Sequence, residues 1–413
     1  MKVYKFGGAS VKDAKGIRNV YSILKEDASS DKLIVISAMG KTTNMLERVV
    51  NDYINGQSPS LEEVKRYHFD IIKELFAENH SIFDEVNNLF VEIEWAIEDS
   101  PTSTYDYEYD QIVSVGELLS TKIVSAFLEQ QNFANTWVDA RDIIRTDNTY
   151  RNARIDWELT SDLIRKVISP QCVYITQGFI GCTSENFTTT LGREGSDFTA
   201  AILSYVLETE EVVIWKDVDG MLNADPRFFD DAQLLNQLSF SEAIELAYFG
   251  AKVIHPKTIQ PLKEKNIPLR VKSFLNPANE GTIIFEDAEM LPFLPSFIIK
   301  ENQILISISA KDLSFIVEDH LSHIFALFSK HGLGINVMQN SAVSFYVCTD
   351  NDIQKVPALM NELQSEYLVK YNDGLTLCTI RHYSEDDITK VTGNKSILLE
   401  QKSRHTVQFV FSS

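Results

Sequence analysis

The chain has 413 residues, 44% of them apolar and 23% charged, the balance of an ordinary globular protein of two or three domains. Its 59 acidic and 38 basic residues leave a net charge of −21. That argues against nucleic acid or an anionic membrane as a partner, because both demand positive patches.

The first predicted element is a short apolar strand, Lys2–Phe6, which runs straight into Gly7-Gly8-Ala9-Ser10. A strand ending in a lysine and two glycines lets backbone N–H groups turn inward around an anion, with an ammonium beside them. The segment lacks both the P-loop pattern and the G-x-G-x-x-G of a dinucleotide fold. Amphipathic helices are expected over 12–26, 43–55, parts of 61–98, 116–130 and 197–207. Near-continuous apolar runs at 32–37, 173–176 and 211–215 read as parallel strands covered on both faces. Alternation of this kind predicts an α/β fold, a mostly parallel sheet sandwiched by helices, with ligands at the carboxyl ends of the strands. Gly7, Ser37, Gln177 and Asp217 all fall at such ends.

Prolines at 292 and 295 mark a linker after a first domain spanning 1–290. Beyond it the order is strand 304–309, helix 317–331, strands 335–339 and 343–349, helix 353–366 and strand 367–371. That β-α-β-β-α-β order predicts a ferredoxin-like α+β unit over about 300–372. A strand at 375–381 opens a second copy over about 373–413. Too few residues remain there for a complete unit, and a strand near 406–411 closes it.

No apolar stretch approaches the ~20 residues of a membrane span, and no basic-plus-apolar leader precedes the first strand. Cys172, Cys182, Cys348 and Cys378 form no C-x-x-C, and three of them lie in apolar runs, as buried thiols of a reducing compartment would. A cytoplasmic protein is expected. The histidines show no metal-ligand spacing, so no protein-built metal site is expected.

Several polar groups sit where ligands are expected. In Gly192-Arg193-Glu194-Gly195-Ser196-Asp197 the glycines allow close backbone approach, and Arg193 offers a planar fork for a carboxylate or phosphate. Ser196 or Asp197 suits the cap of the helix that follows. Lys216 and Asp217 leave a strand and enter a loop that carries Asp219 and Arg227. Asp217 and Asp219 suit a ribose or a hydrated Mg²⁺; Asp225-Pro226 is equally a plain turn former. Lys252 follows a glycine and reads alone as a surface lysine. Glu117 opens an apolar-periodic helix, where a carboxylate favours the helix dipole whether or not it binds anything.

Together these segments resemble the aspartate kinases of the amino-acid kinase superfamily. The match comprises Lys5-Phe6-Gly7-Gly8-Ala9-Ser10-Val11, Ser37-Ala38, Gly116-Glu117, Gly192 to Asp197, Asp217 to Arg227 and Ala251-Lys252-Val253-Ile254-His255-Pro256. It covers nearly all of 1–285 in family order, and the ferredoxin-like units correspond to the family's regulatory ACT region. The resemblance implies ATP-dependent phosphorylation of the β-carboxylate of L-aspartate, the first step toward lysine, threonine and methionine. By that resemblance Lys5 contacts the γ-phosphate, with Gly7 and Gly8 beside it, and Asp197 orients Lys5. Arg193 holds the substrate α-carboxylate, Glu117 its ammonium, and Ser37, Thr43 and Ser196 line the aspartate pocket. Lys216, Asp217, Arg227 and Lys252 hold ATP, with Mg²⁺ bound mainly through its phosphates.

Three positions depart from the family pattern. Lys216 stands where the family usually has Thr, Glu194 where it has Gly, and Leu222 where it commonly has Tyr. These departures support the alternative of a catalytically impaired ACT-containing amino-acid sensor. The resemblance further implies a homodimer or higher oligomer through the ACT region, and an amino-acid effector near Asn336, Gln339, Asn340 and Ser341. Asn336 replaces the aspartate of lysine-sensitive relatives, so altered lysine feedback is expected.

Overall fold

A computed structural model describes residues 1–413 except 28, 30, 252, 253, 287–293, 313, 394 and 413. The described chain divides into two compact units. The first comprises Met1–Met221, Leu234–Ile244 and Lys252–Met290; the second comprises Leu222–Gln233, Glu245–Ala251 and Leu291–Ser413.

The first unit begins with β1 (Lys2–Phe6), α1 (Ala14–Glu26), β2 (Lys32–Ile36), α2 (Thr42–Ile54), α3 (Glu62–Leu75) and α4 (Ile82–Ala96). It continues through α5 (Tyr105–Val113), α6 (Val115–Gln130), β3 (Thr136–Val138), α7 (Ala140–Ile143), α8 (Trp157–Val167) and β4 (Val173–Gln177). A hairpin of β5 (Ile180–Cys182) and β6 (Thr188–Thr190) follows, then α9 (Gly195–Leu207) and β7 (Glu211–Lys216). The last elements are β8 (Gln237–Ser239), α10 (Phe240–Phe249), whose residues from Glu245 onward group with the second unit, α11 (Pro256–Glu264), β9 (Leu269–Ser273) and β10 (Thr282–Phe285). Expected and observed boundaries differ mainly at caps. The first helix starts at Ala14 rather than residue 12, because the Asp13 side chain accepts from the Gly16 amide at 2.7 Å.

Among the described residues the sheet order is β3-β4-β2-β1-β7-β9-β10-β8. The pairs from β3 through β9 are parallel, and β10 is antiparallel to β9. The chain leaves β1 toward β2 on one side and later returns as β7 on the other. A crevice therefore opens at the carboxyl ends of these central strands. Alternation along β1 decides what enters it. Tyr4 and Phe6 join the core formed with α1–α6, together with Ile34, Ile36, Val213 and Trp215. Val3 and Lys5 point to the opposite face, against which α9 packs. Gln177, also at a strand end, serves the fold instead: its amide bonds the Ala140 N–H and the Thr121 hydroxyl.

The helical stretch Tyr105–Gln130 is long and apolar enough to span a membrane by length and composition, a candidate that the sequence reading passes over. Its apolar window is 83% buried inside the fold, as expected of a core helix.

The second unit carries β11 (Ser296–Ala310), α12 (Glu318–Lys330), β12 (Ile335–Asn340), β13 (Ser344–Asp350) and α13 (Lys355–Glu366). It ends with β14 (Tyr367–Arg381), α14 (Glu385–Thr392), β15 (Ser396–Lys402) and β16 (Thr406–Ser412). Among the described residues its sheet order is β12-β13-β11-β14-β16-β15. The strands expected at 367–371 and 375–381 are one continuous β14, which passes Gly374 at φ 63°. The second copy gains a strand from upstream of the first. Ser296–Lys300, at the head of β11, pairs antiparallel with Leu377–Arg381. Residues 292 and 293 of the expected linker lie outside the described residues, while the Pro295 carbonyl accepts from the Asn223 side-chain amide.

Candidate active site

A cavity of about 520 Å³ lies at the carboxyl ends of β1, β2 and β7, and a single ion cluster organises it. Lys5 Nζ lies 2.7 Å from Asp197 Oδ1, and Lys216 Nζ lies 3.2 Å from Asp197 Oδ2. Asp197 is 2% exposed and sits in the first turn of α9, where the helix dipole also favours a negative charge. Burial pushes its carboxyl up, but the charges of Lys5 and Lys216 outweigh that and hold it below the ordinary carboxylate range.

The backbone around this cluster is closely packed. A Cβ on Gly8 would stand 2.6 Å from the Ala38 carbonyl oxygen and 3.0 Å from that of Gly40, so only glycine lets these loops meet. Gly7 precedes the short 3-10 turn Gly8–Val11, with Lys5 Nζ beside its Cα. Gly178 admits Ser196 in the same way, since its Cβ would stand 2.4 Å from that of Ser196.

Of the expected residues, Lys5, Gly8, Ser37, Thr43 and Glu117 line the cavity, as do Arg193, Ser196, Asp197 and Lys216. The Ser37 carbonyl accepts from Ser120 Oγ at 2.7 Å, which fixes the end of β2. Glu117 is 3% exposed, and its Oε2 has no hydrogen-bond partner among the described residues. Burial raises its carboxyl to about 8, although the Lys5 charge and the Ala38 amide both pull it down. Arg193 is exposed at the cavity wall.

Others lie elsewhere. Asp217 is exposed and does not line the cavity. Arg227 belongs to the second unit, where its guanidinium chelates Asp225 at 2.6 to 3.1 Å. Lys252 lies outside the described residues. In the second unit, Asn336 Oδ1 accepts from Lys300 Nζ at 2.8 Å, and its Nδ2 donates to Gln303 and Asp350. Gln339 is exposed on β12, Asn340 donates to the Ile316 carbonyl, and Ser341 Oγ donates to the Ser344 carbonyl.

The cavity also contains residues that carry no local signal. Arg151 lines it, with its guanidinium 4.2 Å over the Tyr109 ring and ion pairs to Glu47 at 3.4 Å and Asp106 at 3.7 Å. Buried Asp110 positions this wall: its carboxylate accepts from the amides of Arg151 and Thr190 and from the Thr190 hydroxyl. Phe179 and Thr190 line it too, as does Glu194, which the loop sequence does single out. Arg151 and Thr190 are brought together only by the tertiary fold.

Comparison with known proteins gives a consistent picture. The model of the amino acid kinase family matches residues 1–273. The lysine-sensitive aspartokinase 3 of Escherichia coli K12 is 31% identical over 402 residues, covering 95% of this chain and 88% of that protein. The crystal structure of E. coli aspartokinase III with aspartate and ADP superposes with a TM-score of 0.84 at 28% identity, over 100% of this chain and 96% of that one. Its complex with lysine and aspartate gives the same TM-score and identity over 99% and 95%.

Asp197→Asn leaves two ammonium groups together with no counter-charge and is expected to cost about 3 kcal/mol at neutral pH. Because the folded-state carboxyl is depressed, its stabilisation is present above the ordinary carboxylate pKa and is lost as pH falls through the folded value. Urea denaturation is expected to show a gap between variant and wild type at pH 7 that closes only below the usual carboxylate range.

Proposed function

The chain belongs to the aspartokinases of the amino acid kinase family, and from that membership we propose how its cavity transfers phosphate from ATP to L-aspartate. The observation that carries the reading is one cavity holding Lys5, Asp197 and Lys216 together with Glu117 and Arg193. The β-carboxylate of aspartate, with an ordinary pKa near ~3.9, is already ionised at neutral pH and needs no general base. Its oxygen attacks the γ-phosphorus as the bond to the β,γ-bridging oxygen breaks, giving 4-phospho-L-aspartate and ADP.

The barrier is anion against anion, so positioning and charge neutralisation supply the catalysis. Lys5 and the amides of Gly7 and Gly8 receive the γ-phosphoryl group, and Asp197 holds Lys5 in place. Lys216 adds a second ammonium on the phosphate side. Arg193 takes the α-carboxylate and Glu117 the α-ammonium, with Ser37, Thr43 and Ser196 shaping the acceptor pocket. Asp217, Arg227 and Lys252 serve the nucleotide. Lysines and amides suit phosphate oxygens, and the exposed carboxylates of Asp217 and Asp219 suit a hydrated cation. Mg²⁺, entering with ATP, would neutralise phosphate charge there. We assign residues 1–290 to the kinase domain and 298–413 to the ACT region, with 222–233 and 245–251 grouping with the second compact unit. Buried free thiols at Cys182, Cys348 and Cys378 support a cytoplasmic setting. A homodimer through the ACT region is supported by β12 and β15 at the sheet edges and by exposed Ile397 and Leu398.

The deciding assay is ADP release with Mg²⁺-ATP and L-aspartate, with the acyl phosphate trapped by hydroxylamine and L-glutamate as control. Aspartate-dependent hydroxamate is expected, and Lys5→Ala should lower turnover by ~10²-fold or more. An amino-acid sensor would instead bind ligand without turnover, and Lys5→Ala would leave effector binding intact.

Glu117 sets the pH dependence. Its carboxyl, raised to about 8, must ionise to pair with the substrate ammonium. The KM for L-aspartate should therefore fall as pH rises toward 8, and Glu117→Gln should flatten that profile; a flat wild-type profile would overturn the assignment.

Regulation follows from the Lys300–Asn336 contact. An ammonium of the chain itself occupies the amide oxygen expected to face an effector ammonium. Lysine inhibition is accordingly expected to be weak, and Lys300→Met should strengthen it. Micromolar binding of L-lysine by the wild type in isothermal titration would refute this.

A further inference from the structure

Among the described residues, ten non-glycine residues have a left-handed backbone φ. Four are asparagines, which tolerate that conformation. Of the other six, Arg151, Phe179 and Glu194 line the active-site cavity, at φ 63°, 74° and 54°. Left-handed backbone at residues bearing a Cβ persists where the surroundings enforce it, and it gathers at binding sites.

Glu194 departs from the ordinary in a second way. Its Oε2 is enclosed and has no hydrogen-bond partner among the described residues. Helix capping does not account for the side chain. Glu194 is the N-cap of α9, but it is the backbone carbonyl that accepts from the Asp197 and Phe198 amides, and the side chain makes no capping bond. Its charge acts on His255, at the start of α11, without a hydrogen bond to it. An enclosed carboxylate oxygen with no donor suits a cation that arrives with the ligand.

Two cations come with the substrates, the ammonium of the amino acid and the metal of the nucleotide. The metal is held mainly by the phosphates of the nucleotide, on the side of Lys5 and Lys216, whereas Glu194 lies between Arg193 and Ser196, which face the amino acid in the reading above. An ammonium has three donors and needs separate acceptors. Glu117 Oε2, the other unpartnered glutamate oxygen on this cavity, supplies one and Glu194 Oε2 another. We infer that Glu194 is a specificity-determining residue whose carboxylate, alongside Glu117, accepts from the α-ammonium of the substrate. The inference rests on the aspartokinase reading above.

The test compares wild type, Glu194→Gln and Glu194→Gly for the KM of L-aspartate, the inhibition constant of succinate (the same dicarboxylate without the amine) and the melting temperature. Both variants should raise the KM for aspartate about tenfold, the scale of one charge-assisted hydrogen bond, with kcat within about twofold. Succinate inhibition should not change. The glycine variant, freed of the left-handed side chain, should melt no lower than wild type. Equal weakening of succinate, an unchanged KM for aspartate, or a rise confined to the KM for Mg²⁺-ATP would overturn the assignment. Absence of aspartate-dependent ADP release from the wild type would instead strike the kinase reading itself.

Discussion

Asp197 holds one negative charge between two ammonium groups in a place almost closed to water, and the surrounding architecture can be derived from that requirement. Lys5 reaches it only because the alternation of β1 turns that side chain away from the core shared by Tyr4 and Phe6. Lys216 reaches it from β7, the parallel neighbour of β1. Asp197 itself is carried on the first turn of α9, whose near-total burial fixes the helix against these strands. In such a setting a partial desolvation penalty on each ion is offset only if all three remain together. The cluster is therefore both a structural joint between three elements and a pre-oriented pair of cations.

That arrangement also resolves a conflict set by composition. A chain of net charge −21 repels the anions it must bring together. The cavity reverses the sign locally: Lys5, Arg151, Arg193 and Lys216 line it against the carboxylates of Glu194 and Asp197, while burial raises the Glu117 carboxyl to about 8. A carboxyl raised in this way lessens the negative charge of the cavity at neutral pH. On the assignment of Glu117 proposed above, the same desolvation would couple acceptor binding to proton release.

Much of this could be read from the chain, for definite reasons. Lys5, Gly7 and Gly8 announce themselves because strand, lysine and glycine pair are contiguous; Arg193 and Asp197 share one loop and helix start. Arg151 could not be read. Its place on the cavity wall depends on Asp110, forty-one residues earlier, which also binds Thr190, and no local pattern links the three. The second ACT copy looked short for a similar reason. Its missing strand, Ser296–Lys300, precedes the first copy, and a pairing of Ile298 with Thr379 leaves no trace in local periodicity. Arg227 carries more than its motif says. The loop motif offers it to phosphate, and in the fold its planar fork also rests on Asp225, two residues away, a pairing that the motif alone does not reveal.

Where local preference and observed backbone disagree, half of the disagreements outside glycine and asparagine gather on this one cavity among the described residues. Gly40 and Gly192 take left-handed φ on the cavity rim at little cost, while Arg151, Phe179 and Glu194 take it against the preference of any residue with a Cβ. Sequences generally agree with their folds at every level, and violations are retained where function compensates them. At Arg151 the compensation is visible: an amide bond to Asp110, a ring beneath the guanidinium and two carboxylates around it. At Glu194 the compensation among the described residues is slighter: its charge acts on His255, but the side chain neither caps its helix nor satisfies its enclosed oxygen. A residue that adds conformational strain to an unsatisfied charge, at the lip of a site for a zwitterionic amino acid, is balanced only when the ligand is counted as part of the structure.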